Sequence, residues 1–230
     1  MSPVLNDASP SLLEWSVLEA RGADAATFLQ GQLSQDLRSL DDEGAWTLIL
    51  APDSVVVTTG FITAAADGFD VFLPRELAEA AHARLRRFLL RVACTLTLRE
   101  SDRGPFMTLD EQIDANWPGP GEFAAALTPH TFGRNFVAAT ISFDKGCFTG
   151  QELVGRLDAR GSSVPWRLVR VSGPSAAAID EVLTSKGPAG PQGLTSSRMR
   201  EGRVEGLGIA HRTLLSSPSG DATVSVDAVE

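Results

Sequence analysis

The stretch Asp144–Gly161, DKGCFTGQELVGRLDARG, holds one of only two cysteines in a 230-residue chain, and its reading decides the rest. Thr149 and Glu152 stand three apart at the head of a periodic run with Leu153, Val154 and Leu157. That spacing predicts a capping box, with Thr149 as N-cap and Glu152 as its partner. Cys147 then lies just before a helix start, where unpaired N–H groups and the positive end of the macrodipole favour a thiolate. The same place could hold a carboxylate or phosphate. Lys145 adds positive charge, and Gly146 and Gly150 leave room for tight turns and close ligand approach. Two readings stay open on the residues alone: an activated thiol or anion site, and the small buried hydrophobe that lone cysteines usually are. For Cys94, on the apolar face of a strand-like run, the second reading applies.

Upstream, DAATFLQGQLSQDLRSL (residues 24–40) reads as an amphipathic helix with Asp24 as N-cap, since Leu29, Leu33, Leu37 and Leu40 recur at helical spacing. Gly31 weakens that helix and invites close approach of a ligand or backbone. AWTLILAP and SVVVTTGFITAA read as a hairpin, and GFDVFL as a third strand. Pro74 opens a helix whose stripe is Leu77, Ala81, Leu85, Phe88 and Leu89. VACTLTLRE alternates as a half-buried strand. Residues 101–122 are turn-rich and read as a linker or domain crossing. After Arg167, short β-like runs separated by Gly/Pro/Ser clusters suggest a small antiparallel barrel or half-barrel. The residues to about Ser11 read as a loosely attached lead.

Bulk properties narrow the function. The chain carries 20 Lys+Arg against 29 Asp+Glu, a net charge of −9, which argues against broad binding of nucleic-acid backbones. No run approaches a membrane span, the N-terminus lacks a signal-peptide pattern, and two cysteines suit a reduced, cytoplasmic setting. The three histidines lack metal-ligand spacing. There is no P-loop and no G-x-S-x-G.

Lys145, Gly146, Cys147, Phe148, Thr149, Gly150, Gln151 and Glu152 form the string K-G-C-[YF]-x-G-Q-E. It resembles the signature of the folate-binding YgfZ-type family, relatives of the glycine-cleavage T-protein (aminomethyltransferase). RGADAATFLQGQLSQDL, which contains Gln32, is similar to the family's N-terminal segment. GPGEFAAALTPHTFG and GLTSSRMREGRVEGLGIAHR are similar to later segments in the same order. The resemblance implies an α+β, T-protein-like fold: a discontinuous first domain (residues 1–50 and 115–165), an inserted α+β domain (51–114) and a C-terminal β-barrel (166–230). It implies tetrahydrofolate as cofactor and a role in assembling or repairing iron–sulfur clusters of client proteins, some of which modify tRNA. Cys147 would be the key thiol with Lys145 beside it. Gln151, Glu152, Arg156, Trp117 and Gln32 would contact the cofactor. Departures are APDSVVV where the family often carries P-x-G-R, Phe148 where tyrosine is commoner, and a short C-terminal part.

Two alternatives compete. Aminomethyl transfer in the family depends on an aspartate in the second hairpin strand, and SVVVTTGFIT has no acid between Ser54 and Thr63. A thiol-based redox protein would use Cys147, although no C-x-x-C partner exists.

Overall fold

The computed structural model describes residues 14–105, 107–161, 163–216 and 223–230. The expected lead to Ser11 lies outside them. The first half begins with β1 (Trp15–Arg21), followed by α1 (Ala25–Gln32), β2 (Ala45–Leu50), β3 (Val56–Ala65), β4 (Gly68–Pro74), α2 (Arg75–Arg86) and β5 (Thr95–Ser101). The strands form one antiparallel sheet in the order β2-β3-β4-β1-β5. Alternation in β1 sends Leu18 and Ala20 into the core, and the hairpin β2–β3 forms as its pattern predicts. Ala78, Ala81 and Leu85 of α2 and Phe28 and Leu29 of α1 cover the sheet, sharing one apolar cluster with Leu18, Ile62, Val71 and Leu73. The sheet crosses residue 50: β1 and β2 pair with strands from the 51–114 segment.

The second half runs α3 (Leu109–Asp114), α4 (Pro120–Phe123), a 3-10 turn (Pro129–Phe132), α5 (Arg134–Thr140) and α6 (Gln151–Ala159). Then come β6 (Trp166–Gly173), α7 (Ala176–Thr184), β7 (Gly193–Arg200), β8 (Arg203–His211), α8 (Arg212–Ser216) and β9 (Ser225–Ala228). Among the described residues these strands form an antiparallel sheet, β7-β8-β6-β9, that does not close into the barrel expected for residues 166–230. Ile179, Val182 and Leu183 of α7 pack on one face of it, a covering that four strands need and a barrel does not. The two sheets meet through a shared cluster: Leu48, Leu50 and Val56 from the first, Leu168, Leu207 and Ile209 from the second. Phe123, Phe132, Phe136, Phe148 and Val154 lie between them.

Two expectations for helices fail for local reasons. The helix expected over 24–40 stops at Gln32, because Leu33 turns extended and bridges Ile49. Ser34 Oγ donates to the Thr140 carbonyl at 2.6 Å and accepts from Leu48 N–H at 2.7 Å. These bonds compete with the helical ladder. Leu37 and Leu40 still reach the core from outside the helix. Asp24 is the N-cap residue of α1 as expected, but its carboxylate accepts from the backbone N–H of Ala93 instead of from the first turn of the helix. The stretch 101–122, read as a linker, contains α3, closed by a capping box at Thr108 and Glu111.

Candidate functional site

The cysteine loop sits where α1 ends, β2 turns into β3, and α6 begins. Its anchors are polar and specific. Lys145, only 5% exposed, donates from Nζ to the carbonyls of Gln30, Leu33 and Gln35, each at 2.7 Å. An ammonium has three donors, so this tripod uses them all. It satisfies carbonyls at the point where the α1 ladder stops. Burial holds the Lys145 ammonium down, to a pKa of about 8. Its charge also lies 5.3 Å from the centre of the Phe148 ring.

The capping box expected at Thr149 and Glu152 does not form. Gly150 is the N-cap of α6, with φ +84° and no side-chain cap. Thr149 N–H donates to the Gly31 carbonyl at 3.0 Å, and the Thr149 hydroxyl donates to Gln32 Oε1 at 3.3 Å. Glu152 instead pairs with Arg156 at 2.7 Å on the exposed face of α6. The glycine is required twice over. Its φ is left-handed, and an added Cβ would meet the Ala51 carbonyl oxygen at 2.7 Å. Ser54 Oγ closes the contact by donating to the Gly150 carbonyl at 2.6 Å. At Gly31, by contrast, an added Cβ meets open space, so the expected close approach is to its carbonyl.

Residues 145, 148, 149 and 150 are thus packed or hydrogen-bonded into the body of the protein, while Cys147 is a free, exposed thiol. Cys94 is half-buried and packs against the apolar cluster under the first sheet.

Arg84 also belongs to this junction, although nothing in the motif announced it. It is buried, donates through Nε to the Leu50 carbonyl at 2.7 Å and through Nη1 to Gln32 Oε1. Gln32 therefore ties α1 to both α2 and the cysteine loop. Desolvation pulls the Arg84 pKa down to about 10, with Arg87 adding to it. The signal in the sequence was positional: Arg84 is three residues after Ala81 and four before Phe88, on the inward stripe of α2.

Of the seven expected site residues, the structure brings Lys145, Cys147 and Gln32 to one junction. Gln151 opens α6 and is half-buried, and Glu152 and Arg156 bind each other outside. Trp117 is elsewhere. Its ring packs on Trp46 at 4.8 Å and on Phe136 at 5.2 Å. With Phe132, Phe136 and Asn135 it lines a cavity of about 520 Å³. A second cavity, of about 740 Å³, adjoins it through Asn135, Ala228, Val229 and Glu230, and is lined also by His130, Arg134 and Arg167. A third cleft between Trp15, Trp46 and Trp117 encloses only about 10 Å³. Next to it, Glu122 is fully buried, accepting from the hydroxyls of Thr195 and Ser196 at 2.6 Å and from Gly119 N–H at 2.7 Å.

No protein-family profile matches the chain, and no curated protein matches it significantly in sequence. Among solved structures it is similar to the glycine cleavage system aminomethyltransferase T from Bartonella henselae. The TM-score is 0.58 at 12% identity, over 95% of this chain and 84% of that one. At that identity the likeness concerns the fold: this chain has an α+β fold like that of aminomethyltransferase T.

Proposed function

We propose that the chain is a folate-binding accessory protein of the YgfZ type, which presents Cys147 to iron–sulfur client proteins. The observation that carries this reading is the contrast at the cysteine loop. The thiol is exposed, whereas the residues around it are held by the Lys145 tripod, the Thr149–Gly31 bond and the Gly150 contact. A thiol displayed on a fixed loop suits encounter with another macromolecule. A thiol used as an enclosed nucleophile would sit in a cavity beside its base. The motif and the T-protein-like fold support the same reading.

The residues fit a folate-type ligand in part. Trp117, Phe132 and Phe136 wall a cavity within the ordinary size range of small-molecule sites, about 300–1,000 Å³. Phe132 and Phe136 are packed in the core, so the partly exposed Trp117 is the ring that would stack on a ligand there. Lys145 and Arg156 are engaged elsewhere and do not supply a cation to it. When bound, tetrahydrofolate supplies a one-carbon carrier. Aminomethyl transfer is the weaker reading, because β3 (VVTTGFITAA) carries no acid.

Calorimetric titration with tetrahydrofolate tests the cofactor. Binding with a rise in melting temperature is expected; no heat and no thermal protection would refute the folate half of the proposal.

A further inference from the structure

We propose that the arginine-rich turn after α2 (residues 86–91) and the cysteine loop form one docking face for an acidic protein surface with an apolar centre. The inference deepens the proposed function and rests on it for Cys147 acting on other proteins. A chain of contacts joins the turn to the loop. The Phe88 ring lies 4.8 Å from the Arg84 guanidinium, and Arg84 donates to Gln32 Oε1. The Thr149 hydroxyl donates to that same oxygen, two residues from Cys147. On the other side of the loop, Ser142 N–H donates to the Ser34 carbonyl, and its neighbour Phe143 is exposed. Four large hydrophobic side chains are exposed among the described residues, and three of them, Phe88, Leu90 and Phe143, belong to these two segments.

Charge identifies the partner. The chain carries a net charge of −9, yet residues 80–99 hold five arginines and no acid. Arg99 pairs with Glu19, whereas Arg86, Arg87 and Arg91 are exposed and form no ion pair among the described residues. Of the loop's acids, Glu152 is taken up by Arg156 and Asp144 stays exposed, so positive charge prevails around the apolar side chains. An acidic surface complements it. A lipid surface also attracts arginines and apolar side chains, but the stack under Phe88 favours a protein. Arg84 is buried and tied to the Leu50 carbonyl and to Gln32, so the ring rests on a fixed base. A ring ordered in advance lowers the cost of binding a partner of defined shape. A fluid bilayer gains nothing from that order.

The thiol itself reports docking. Three synthetic peptides carry a cysteine activated as its nitropyridyl disulfide, followed by a Leu-Phe pair flanked by glutamates, glutamines or lysines. The Cys147 thiolate attacks the peptide sulfur, forms the mixed disulfide and expels nitropyridinethiolate, whose absorbance gives the rate. A Cys94→Ser background leaves Cys147 as the sole thiol. At low salt the glutamate peptide should react about ten-fold faster than the glutamine peptide, the lower end of electrostatic steering, and salt should erase the gain. Arg86→Glu with Arg87→Glu should invert the order in favour of lysine, a result that misfolding cannot produce. Leu90→Ser should slow the glutamate peptide by about ten-fold, the weight of burying one leucine. Equal rates for the three peptides, or a glutamate preference that survives the arginine reversal, would overturn the docking face. Binding to phosphatidylserine vesicles with no preference among the peptides would give the turn to lipid and overturn it too. A glutamate preference lost on arginine reversal, together with intact iron–sulfur enzyme activities in Cys147→Ser cells, would keep the docking face and remove the iron–sulfur role.

Discussion

Replacing Lys145 by methionine removes the one group that joins three backbone carbonyls of the α1 end to the cysteine loop. Methionine keeps most of the volume and offers no donor. Three acceptors then lose their partners, and at about 1 kcal/mol each, the lower end for an orphaned buried group, the loss is about 3 kcal/mol at pH 7. Arginine should not rescue it, because a planar fork cannot match three acceptors converging on one point. The alkaline limb gives a second, independent readout. Lys145 has a folded pKa of about 8 against an ordinary 10.5. Between those values the unfolded chain binds the extra proton, so the stability of the native protein rises with pH. Two and a half units correspond to about 3 kcal/mol. Arg84, held at about 10, and Cys94, whose thiol burial pushes up, titrate in the same window, so the part of the rise that belongs to Lys145 is the part Lys145→Met removes. Urea unfolding followed by tryptophan fluorescence at pH 7 and from pH 8 to 10.5 measures both effects. If Lys145→Met loses less than about 0.5 kcal/mol, the range of an ordinary surface change, and keeps the native alkaline rise, the tripod reasoning is wrong.

Other outcomes follow from neighbouring contacts. Gly150→Ala forces a side chain into a left-handed turn and against the Ala51 carbonyl, and should cost about 2 kcal/mol or more by chemical denaturation. Cys147→Ser, at an exposed position, should change stability by less than about 0.5 kcal/mol. Arg198 donates to Asp114 and Glu205, joining α3 to the second sheet, and holds the Asp114 carboxyl down to about 2. The depressed carboxyl contributes stability above its unfolded pKa of 3.8 and loses it as pH falls toward 2. In Arg198→Met the Asp114 titration, read by NMR, should return toward 3.8, and stability should depend less steeply on pH between 4 and 2.

Much of the framework was legible in the sequence, and the failures have physical causes. The β2–β3 hairpin and α2 carry strong periods over enough residues to be read directly. β1 was missed: WSVLEAR is a short central strand next to residues that look like a loose lead, and its partners β4 and β5 are distant in sequence. The second sheet, which does not close among the described residues, was misread as a barrel because strand count and turn density do not encode closure. Two capping-box patterns were present, at Thr108 and at Thr149. The first forms because its residues are free to turn on each other. The second does not, because the N–H and hydroxyl of Thr149 bond to residues more than a hundred positions away. Lys145 was legible as a charge beside a thiol. Its three carbonyl partners come from a helix ending that only the tertiary structure creates.

The fold holds the cysteine loop with its thiol exposed, and the proposed role requires that thiol to act outward on other proteins. Cys147→Ser expressed in place of the native protein, with iron–sulfur enzyme activities assayed in the same cells, tests that claim most directly. Client activities should be lost while the melting temperature and the level of the protein stay unchanged. Full client activity in cells carrying only the serine variant would contradict it.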